Sequence, residues 1–184
     1  MATLGQEFLR QYPLSDRALG TTLSSLSMLR RWDEAESALT GRLKATPEDR
    51  AALRSISMIA MYHGDYCRVI DTEKRVVASG EATSGDMNSL AWAALCAGRL
   101  TAESIETAQN AVKMGKAQKF GPLQTLAAVY AEIDNTTEAH ETTLRGMEVG
   151  SQLEPDSESW YVFGRIAEQY GLNEVTVADS TTHA

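Results

Sequence analysis

The chain has 184 residues, of which 43% are hydrophobic and 7% aromatic, and its formal net charge at pH 7 is −8. This length suits one domain or a short array of repeats, and the acidic balance disfavours binding to the phosphates of nucleic acid. The sequence contains no run of about 18 apolar residues, so no membrane span is predicted. The N-terminus lacks the basic and apolar regions of a signal peptide. We therefore expect a cytoplasmic protein that binds neither nucleic acid nor membrane.

The first predicted element is a helix over residues 3–12, in which Leu4, Phe8 and Tyr12 share one face. Pro13 ends this helix, because proline cannot continue the hydrogen-bonding pattern. No helix precedes it in the sequence to pair with it. We expect it to be the second helix of a pair whose first helix is missing, as in a chain cut from a longer array.

Residues 16–47 are predicted to form two short amphipathic helices joined by a turn at residues 30–32. The apolar positions recur at helical spacing: Leu19, Leu23 and Leu26 in the first helix, then Ala35, Ala38 and Leu39 in the second. Thr46 is predicted as the N-cap of the next helix, with Pro47 at its first position. Since Pro47 lies 34 residues after Pro13, this window sets a repeat length.

Three further copies follow at this spacing. The second begins near Arg50, turns at residues 63–66 and ends at Gly80, where glycine suits a left-handed helix end. The third begins near Ser84, turns at residues 98–100 and is predicted to hold one extra residue before its second helix. The fourth turns at residues 134–136. A last helix is expected over residues 157–171, and residues 172–184 are expected to fray.

This helix-turn-helix period resembles the tetratricopeptide repeat. The residues that carry the resemblance are Ala35, Leu39 and Pro47 in the first copy, Leu90-Ala91 and Gly98 in the third, Leu126-Ala127, Tyr130 and Ala139 in the fourth, and Trp160, Phe163-Gly164 and Ala167 in the last helix. The second copy departs from the pattern, with Val69 where alanine is expected. Other helical repeats, such as Sel1-like arrays, have a slightly longer period and remain an alternative.

The resemblance implies an all-α fold, a right-handed superhelical solenoid of antiparallel helix pairs. It implies a single solenoid over residues 1–171 followed by a tail. The expected segments are a half unit 1–15, units at about 16–49, 50–83, 84–119 and 120–156, a final helix 157–171 and a frayed or disordered tail 172–184.

The sequence carries no convincing catalytic or metal-binding pattern. His140-Glu141 begins like a zinc-protease motif, but position 144 is leucine, so the second ligand is missing. We expect His140 and His63 to be surface residues, with no metal and no cofactor. Cys67 and Cys96 are predicted to be reduced, buried structural thiols.

In tetratricopeptide proteins, ligands usually lie in a concave groove lined by the first helix of each pair. Carried over by repeat position, this face contains Arg17 and Met28 in the first unit and Cys96 in the third. The positions predicted to bind a partner are Arg54, Met58, Met61, Tyr62, Asn88, Trp92 and Leu95. The mixture indicates an apolar, adaptable groove with two polar anchors, although several of these side chains could instead belong to the core.

The predicted function is therefore a protein–protein interaction scaffold that binds a peptide or a partner helix without catalysis. One alternative is self-assembly into homo-oligomers through uncovered faces at Leu4/Phe8 and Trp160/Phe163. Another is an accessory module of a larger enzyme, which would need one of His63, Cys67, Cys96 or His140 for activity.

Overall fold

The computed structural model describes residues 15–150 together with the single residue Glu7, and within that part of the chain every regular element is an α-helix. The helices are α1 (Asp16–Met28), α2 (Trp32–Ala45), α3 (Arg50–Tyr62), α4 (Tyr66–Ala78), α5 (Ser84–Cys96), α6 (Ala102–Met114), α7 (Phe120–Glu132) and α8 (Thr136–Gly150). Successive helices are arranged in pairs, as the tetratricopeptide resemblance implies. The predicted all-α class and helix pairing are confirmed.

The chain divides into two compact units, residues 1–82 and residues 83–184. In the first unit, α1 packs against α2, α2 against α3 and α3 against α4. In the second, α5 packs against α6, α6 against α7 and α7 against α8, and α5 also contacts α7. Each helix therefore buries one face against its neighbours in sequence, which is how a repeat array builds its core.

The core of the first unit contains most of the side chains predicted from the apolar spacing, although Leu23 and Ala38 are only half-buried. Its buried members are Leu19, Leu26, Ala35, Leu39, Ala52, Ile56 and Ile59. The equivalent core of the second unit contains Ala91, Ala108, Val112, Leu123, Leu126 and Val129. Alanines at these positions let paired helices approach closely, while leucine and isoleucine fill the remaining space.

The turn inside each helix pair contains one residue with a left-handed backbone. These residues are Arg30 (φ 54°), Gly64 (φ 71°), Gly98 (φ 62°) and Asp134 (φ 57°). Around Gly64, the N–H of Asp65 donates to the Ala60 carbonyl at 2.9 Å, and the N–H of Gly64 donates to the Met61 carbonyl at 3.1 Å. This pattern satisfies carbonyl groups at the helix end and recurs at all four turns. Gly80 also has a positive φ, as predicted.

Two local predictions are wrong. The N-cap of α3 is Asp49, whose side chain accepts from the N–H of Ala52, and not Thr46. Thr46 instead forms a turn, in which its carbonyl accepts from the N–H of Asp49. The connection between α5 and α6 spans residues 97–101 where the other pairs have three residues, so it holds two extra residues rather than one.

Asp49 has a second role, because it joins α2 to α3 through an ion pair. The Nε of Arg42 donates to its Oδ2 at 2.5 Å, and the two side chains are only 7% and 11% exposed. Burial alone would raise the pKa of Asp49. The hydrogen bonds from the Ala52 N–H and from Arg42, with the charge of Arg42, outweigh this effect and set the pKa below its ordinary value.

The predictions for the final helix 157–171 and for the tail 172–184 lie outside the described residues, as does the prediction for residues 1–14 apart from Glu7. The first helices of the four described pairs begin at residues 16, 50, 84 and 120. The division into repeat units with a single solenoid and two partial ends stays a prediction.

Candidate interaction surface

Three of the first helices, α1, α3 and α5, keep one face exposed or half-exposed, whereas most of α7 is buried. In α1, exposed residues follow one another at helical spacing at positions 17, 20, 24 and 28. In α3 the corresponding residues are Arg54, Met58 and Tyr62, with Ala51 at the start of the helix. The other side of α3 is buried, including Leu53, Ile56 and Ile59. The structure thus separates a core face from an outer face on these helices.

Met58 and Tyr62 are the most distinctive residues of this outer face. Each is 60% exposed, and they lie four residues apart, so their side chains are neighbours on one side of α3. Met61 is half-buried and Arg54 is half-buried near the N-terminal end of the same helix. Two large apolar side chains that are mostly exposed to water indicate a surface that can bind a partner.

A stacked group of rings, which the sequence did not reveal, supports Tyr62. The rings of Trp32 and Tyr62 are 4.8 Å apart at 38°, and His63 meets the Tyr62 ring edge-on at 5.6 Å. Trp32 is the first residue of α2 and packs against the core of the first unit. The contact therefore fixes the Tyr62 ring at the end of α3 while leaving much of it exposed. The clue in the sequence was that Trp32 and Tyr62 both stand next to an inter-helix turn.

In the second unit the predicted binding residues are less exposed. Asn88, Trp92 and Leu95 are all half-buried on α5, and Leu95 packs against the core of its unit. The Oδ1 of Asn88 is buried without a hydrogen-bond partner among the described residues. Its Nδ2 lies close to α7, since a Cβ added at Gly121 would come within 3.9 Å of it. Leu95 is therefore shared between surface and core, whereas Trp92 is half-buried outside that cluster.

The prediction of buried cysteines is wrong. Cys67 and Cys96 are both exposed, and they are not joined in a disulfide. Cys96 ends α5 at the position that Met28 and Tyr62 occupy in α1 and α3, and this position faces outward in each helix. Cys67 is the second residue of α4. His63 and His140 are exposed as predicted, and no group of three His, Cys, Asp or Glu residues in the described part of the chain could hold a metal ion.

Helix α8 exposes one large apolar side chain, because Leu144 is 43% exposed. Ala139 and Thr143 form its buried side. Among residues 15–150, no helix is both long and apolar enough to cross a membrane.

Comparison with solved structures identifies the fold. The chain is similar to the structure described as a MamA RS-1 ArsTM double mutant (TM-score 0.72, 19% identity, 84% of this chain and 86% of that chain covered). It is similar to MamA 41-end from Desulfovibrio magneticus RS-1 (TM-score 0.71, 20% identity, 85% and 86% covered). It is also similar to YrrB, described as a TPR protein with an unusual peptide-binding site (TM-score 0.70, 12% identity, 95% and 87% covered).

No protein-family model and no curated protein matches the sequence. At these identities the structural likeness shows the fold alone. The chain thus has the tetratricopeptide-repeat fold that its 34-residue period implies, with repeats that have diverged in sequence.

Proposed function

We propose that this protein is a protein–protein interaction scaffold that binds a peptide or a partner helix along the outer face of its first helices, without catalysis. The observation that carries the proposal is the pair Met58 and Tyr62, each 60% exposed on the outer face of α3. Exposed methionine and tyrosine suit partner binding, because methionine adapts its shape and tyrosine combines apolar area with a hydroxyl group.

The fold supports the same proposal. Function depends on the site rather than on the fold, but one solved relative in fold, YrrB, is described as having a peptide-binding site. The remaining predicted positions, Arg54, Met61, Asn88, Trp92 and Leu95, extend the proposed surfaces of the two units. A non-catalytic role is supported by the surroundings of His63, whose described ring neighbours are Trp32 and Tyr62.

The proposal is tested by capture of partners from a lysate of the source organism with full-length bait carrying Met58→Ala and Tyr62→Ala. Truncating two exposed side chains should reduce the captured partner at least tenfold, because central aromatic and methionine contacts carry a large share of binding energy, at about 1–2 kcal/mol each. Helical content, measured by circular dichroism, should stay unchanged because neither residue belongs to the buried core.

The matched control is Leu144→Ala, which removes a comparably exposed apolar side chain from a second helix. It should capture the partner as the wild type does. Equal capture by all baits would contradict the proposal. A Trp92→Ala bait is expected to capture less partner and also to lose some stability, since Trp92 is half-buried.

A further inference from the structure

Three lysines stand together at the connection between α6 and α7. The chain has five lysines, and three of them, Lys113, Lys116 and Lys119, fall within seven residues. All three are exposed. The sequence contains no Asp or Glu between Glu106 and Glu132, so no carboxylate of the same stretch offsets their charge. This part of an acidic chain is therefore locally basic.

The connection is folded against the end of α6, which brings the three lysines close together. The N–H of Lys116 donates to the Lys113 carbonyl at 3.0 Å. The next residue, Ala117, is half-buried and packs against the core of the second unit. The Cδ of Lys119 lies 3.4 Å from the position that a Cβ on Gly115 would occupy, so the stem of this lysine lies across the connection. These contacts place the lysines on one small area of surface.

The charges of these lysines are not neutralised within the described part of the chain. Five described arginines form ion pairs with carboxylates. In contrast, none of the three lysines forms an ion pair with a described carboxylate, and this includes Glu148 near the end of α8. The carboxylate of Asp86 on α5 is buried in the capping box with Thr83. The three ammonium groups therefore remain available to a ligand.

One apolar side chain lies among the lysines. Met114 is the last residue of α6 and is 47% exposed. A methionine adapts its shape to different partners, and lysine stems add aliphatic carbon around it. We call Lys113, Met114, Lys116 and Lys119 the lysine patch. It combines positive charge with apolar area, and it shares no residue with the surface that contains Met58 and Tyr62.

From this geometry we infer that the lysine patch binds an acidic segment of a partner protein. The carboxylates of the segment would meet the three ammonium groups, and an apolar side chain would cover Met114. Such charge complementarity gives specificity and speeds association. The rest of the chain is strongly acidic. A short segment that contacts only the patch is therefore favoured over a long nucleic acid or an anionic membrane, whose charges would also meet the acidic remainder.

The inference goes beyond the proposed function, because it adds a second interaction surface with its own ligand chemistry. Its test is binding of fluorescent synthetic peptides to the full-length protein, measured by anisotropy at low salt. The peptides have the same length and the same two leucines, and their other positions are Asp/Glu, Ser/Gln or Arg. The acidic peptide should bind at least about tenfold more tightly than the other two, and its affinity should fall as salt is added.

A matched pair of charge reversals locates the binding site. Lys116→Glu combined with Lys119→Glu should weaken binding of the acidic peptide at least about tenfold. The control combines Lys44→Glu with Lys74→Glu, the other two lysines of the chain, which are also exposed. It changes the net charge equally, and it should weaken binding about threefold at most because salt screens distant charges.

Thermal denaturation of each variant separates lost binding from lost folding. If the double reversal does not fold, Lys116→Gln combined with Lys119→Gln gives the same reading with a smaller loss of affinity, about threefold or more. Neither variant touches Met58 or Tyr62. A failure of the proposed function, read from capture by variants of those two residues, is therefore distinguishable from a failure of this inference.

Several outcomes would overturn the inference. It fails if the acidic peptide does not bind, if the neutral or basic peptide binds as tightly, or if both double reversals weaken binding equally. An oligothymidylate of equal charge that binds more tightly would assign the patch to nucleic acid instead. Binding that appears only in a variant with Glu154→Gln, Asp156→Asn and Glu158→Gln would show that the chain's own acidic stretch occupies the patch.

Discussion

Arg30 occupies a backbone position at which the two following repeats have glycine. Its φ is 54°, against 71° at Gly64 and 62° at Gly98. A side chain with a Cβ is disfavoured in the left-handed region by roughly 1–2 kcal/mol. The backbone of the first turn is therefore strained relative to the next two turns, and Arg30 lowers the stability of the folded state.

Arg30→Gly should stabilise the protein by about 0.5–1 kcal/mol, because the relief of strain exceeds the entropy that glycine adds to the unfolded chain. Urea denaturation of the full-length chain measures this change. The matched reverse variant is Gly64→Ala, which should destabilise by about 1 kcal/mol. No atom lies within 4 Å of a Cβ added at Gly64, so backbone strain alone would be responsible. A stabilising Gly64→Ala would contradict this reasoning.

Single residues show which parts of the surface could be predicted from the sequence. Repeat register was enough to place Met58 and Tyr62 on an outer face, because helix periodicity fixes which side each position takes. The same register puts Cys96 at the position of Tyr62, yet its burial was predicted from the general preference of cysteine, which was misleading here. The stacking of Trp32 on Tyr62 depends on how two helix ends meet, which no single helix pattern contains.

The joint between α2 and α3 depends on one carboxylate. Asp49 caps α3 through the N–H of Ala52 and pairs with the buried Arg42 near the end of α2. Since both contacts stabilise the ionised form, the pKa of Asp49 lies below its ordinary value. A group with a depressed folded-state pKa stabilises the fold above its unfolded-state pKa of about 3.9, and this stability is lost as the pH falls through the folded-state value.

Asp49→Ala should destabilise the fold by about 3 kcal/mol at pH 7, because it removes an N-cap and leaves Arg42 without its carboxylate partner. Asp49→Asn keeps a capping oxygen and should cost less. The stability difference between wild type and Asp49→Asn, from urea denaturation at a series of pH values, should be constant at neutral pH and shrink below about pH 4. Glu34→Gln, in the exposed pair with Arg31, is the control and should change stability by at most about 0.5 kcal/mol. A difference that persists unchanged at pH 2 would contradict the role of Asp49.

Helices and their pairing were predictable, because apolar spacing marks each helix and the short connections require neighbours in sequence to pack together. The residues at which the helices begin were harder to predict. Thr46-Pro47 has the residue types of an N-terminus, but Asp49 also reaches Arg42, and that contact depends on the packing of α2 against α3. The two extra residues between α5 and α6 likewise accommodate a longer turn that ends at the capping residue Thr101.

At the scale of the whole molecule, we propose that partners bind the outer face of the first helices. Each compact unit presents such a face, and they differ in chemistry: the first combines exposed methionine and tyrosine with arginine, whereas the second has half-buried Trp92 and Leu95 beside Asn88. The net charge of −8 belongs to the whole chain and does not give the charge of either face. Composition alone could exclude some classes of partner, but the exposure of Met58 and Tyr62 depends on the position of each residue on its helix.

The most direct test places a photo-crosslinking amino acid at position 58 of the full-length protein and, separately, at position 144. Both positions are exposed, but the first lies on a first helix and the second on a second helix. Irradiation of the captured complex should join the partner to position 58 and not to position 144. Crosslinks from position 144 with none from position 58 would contradict the account.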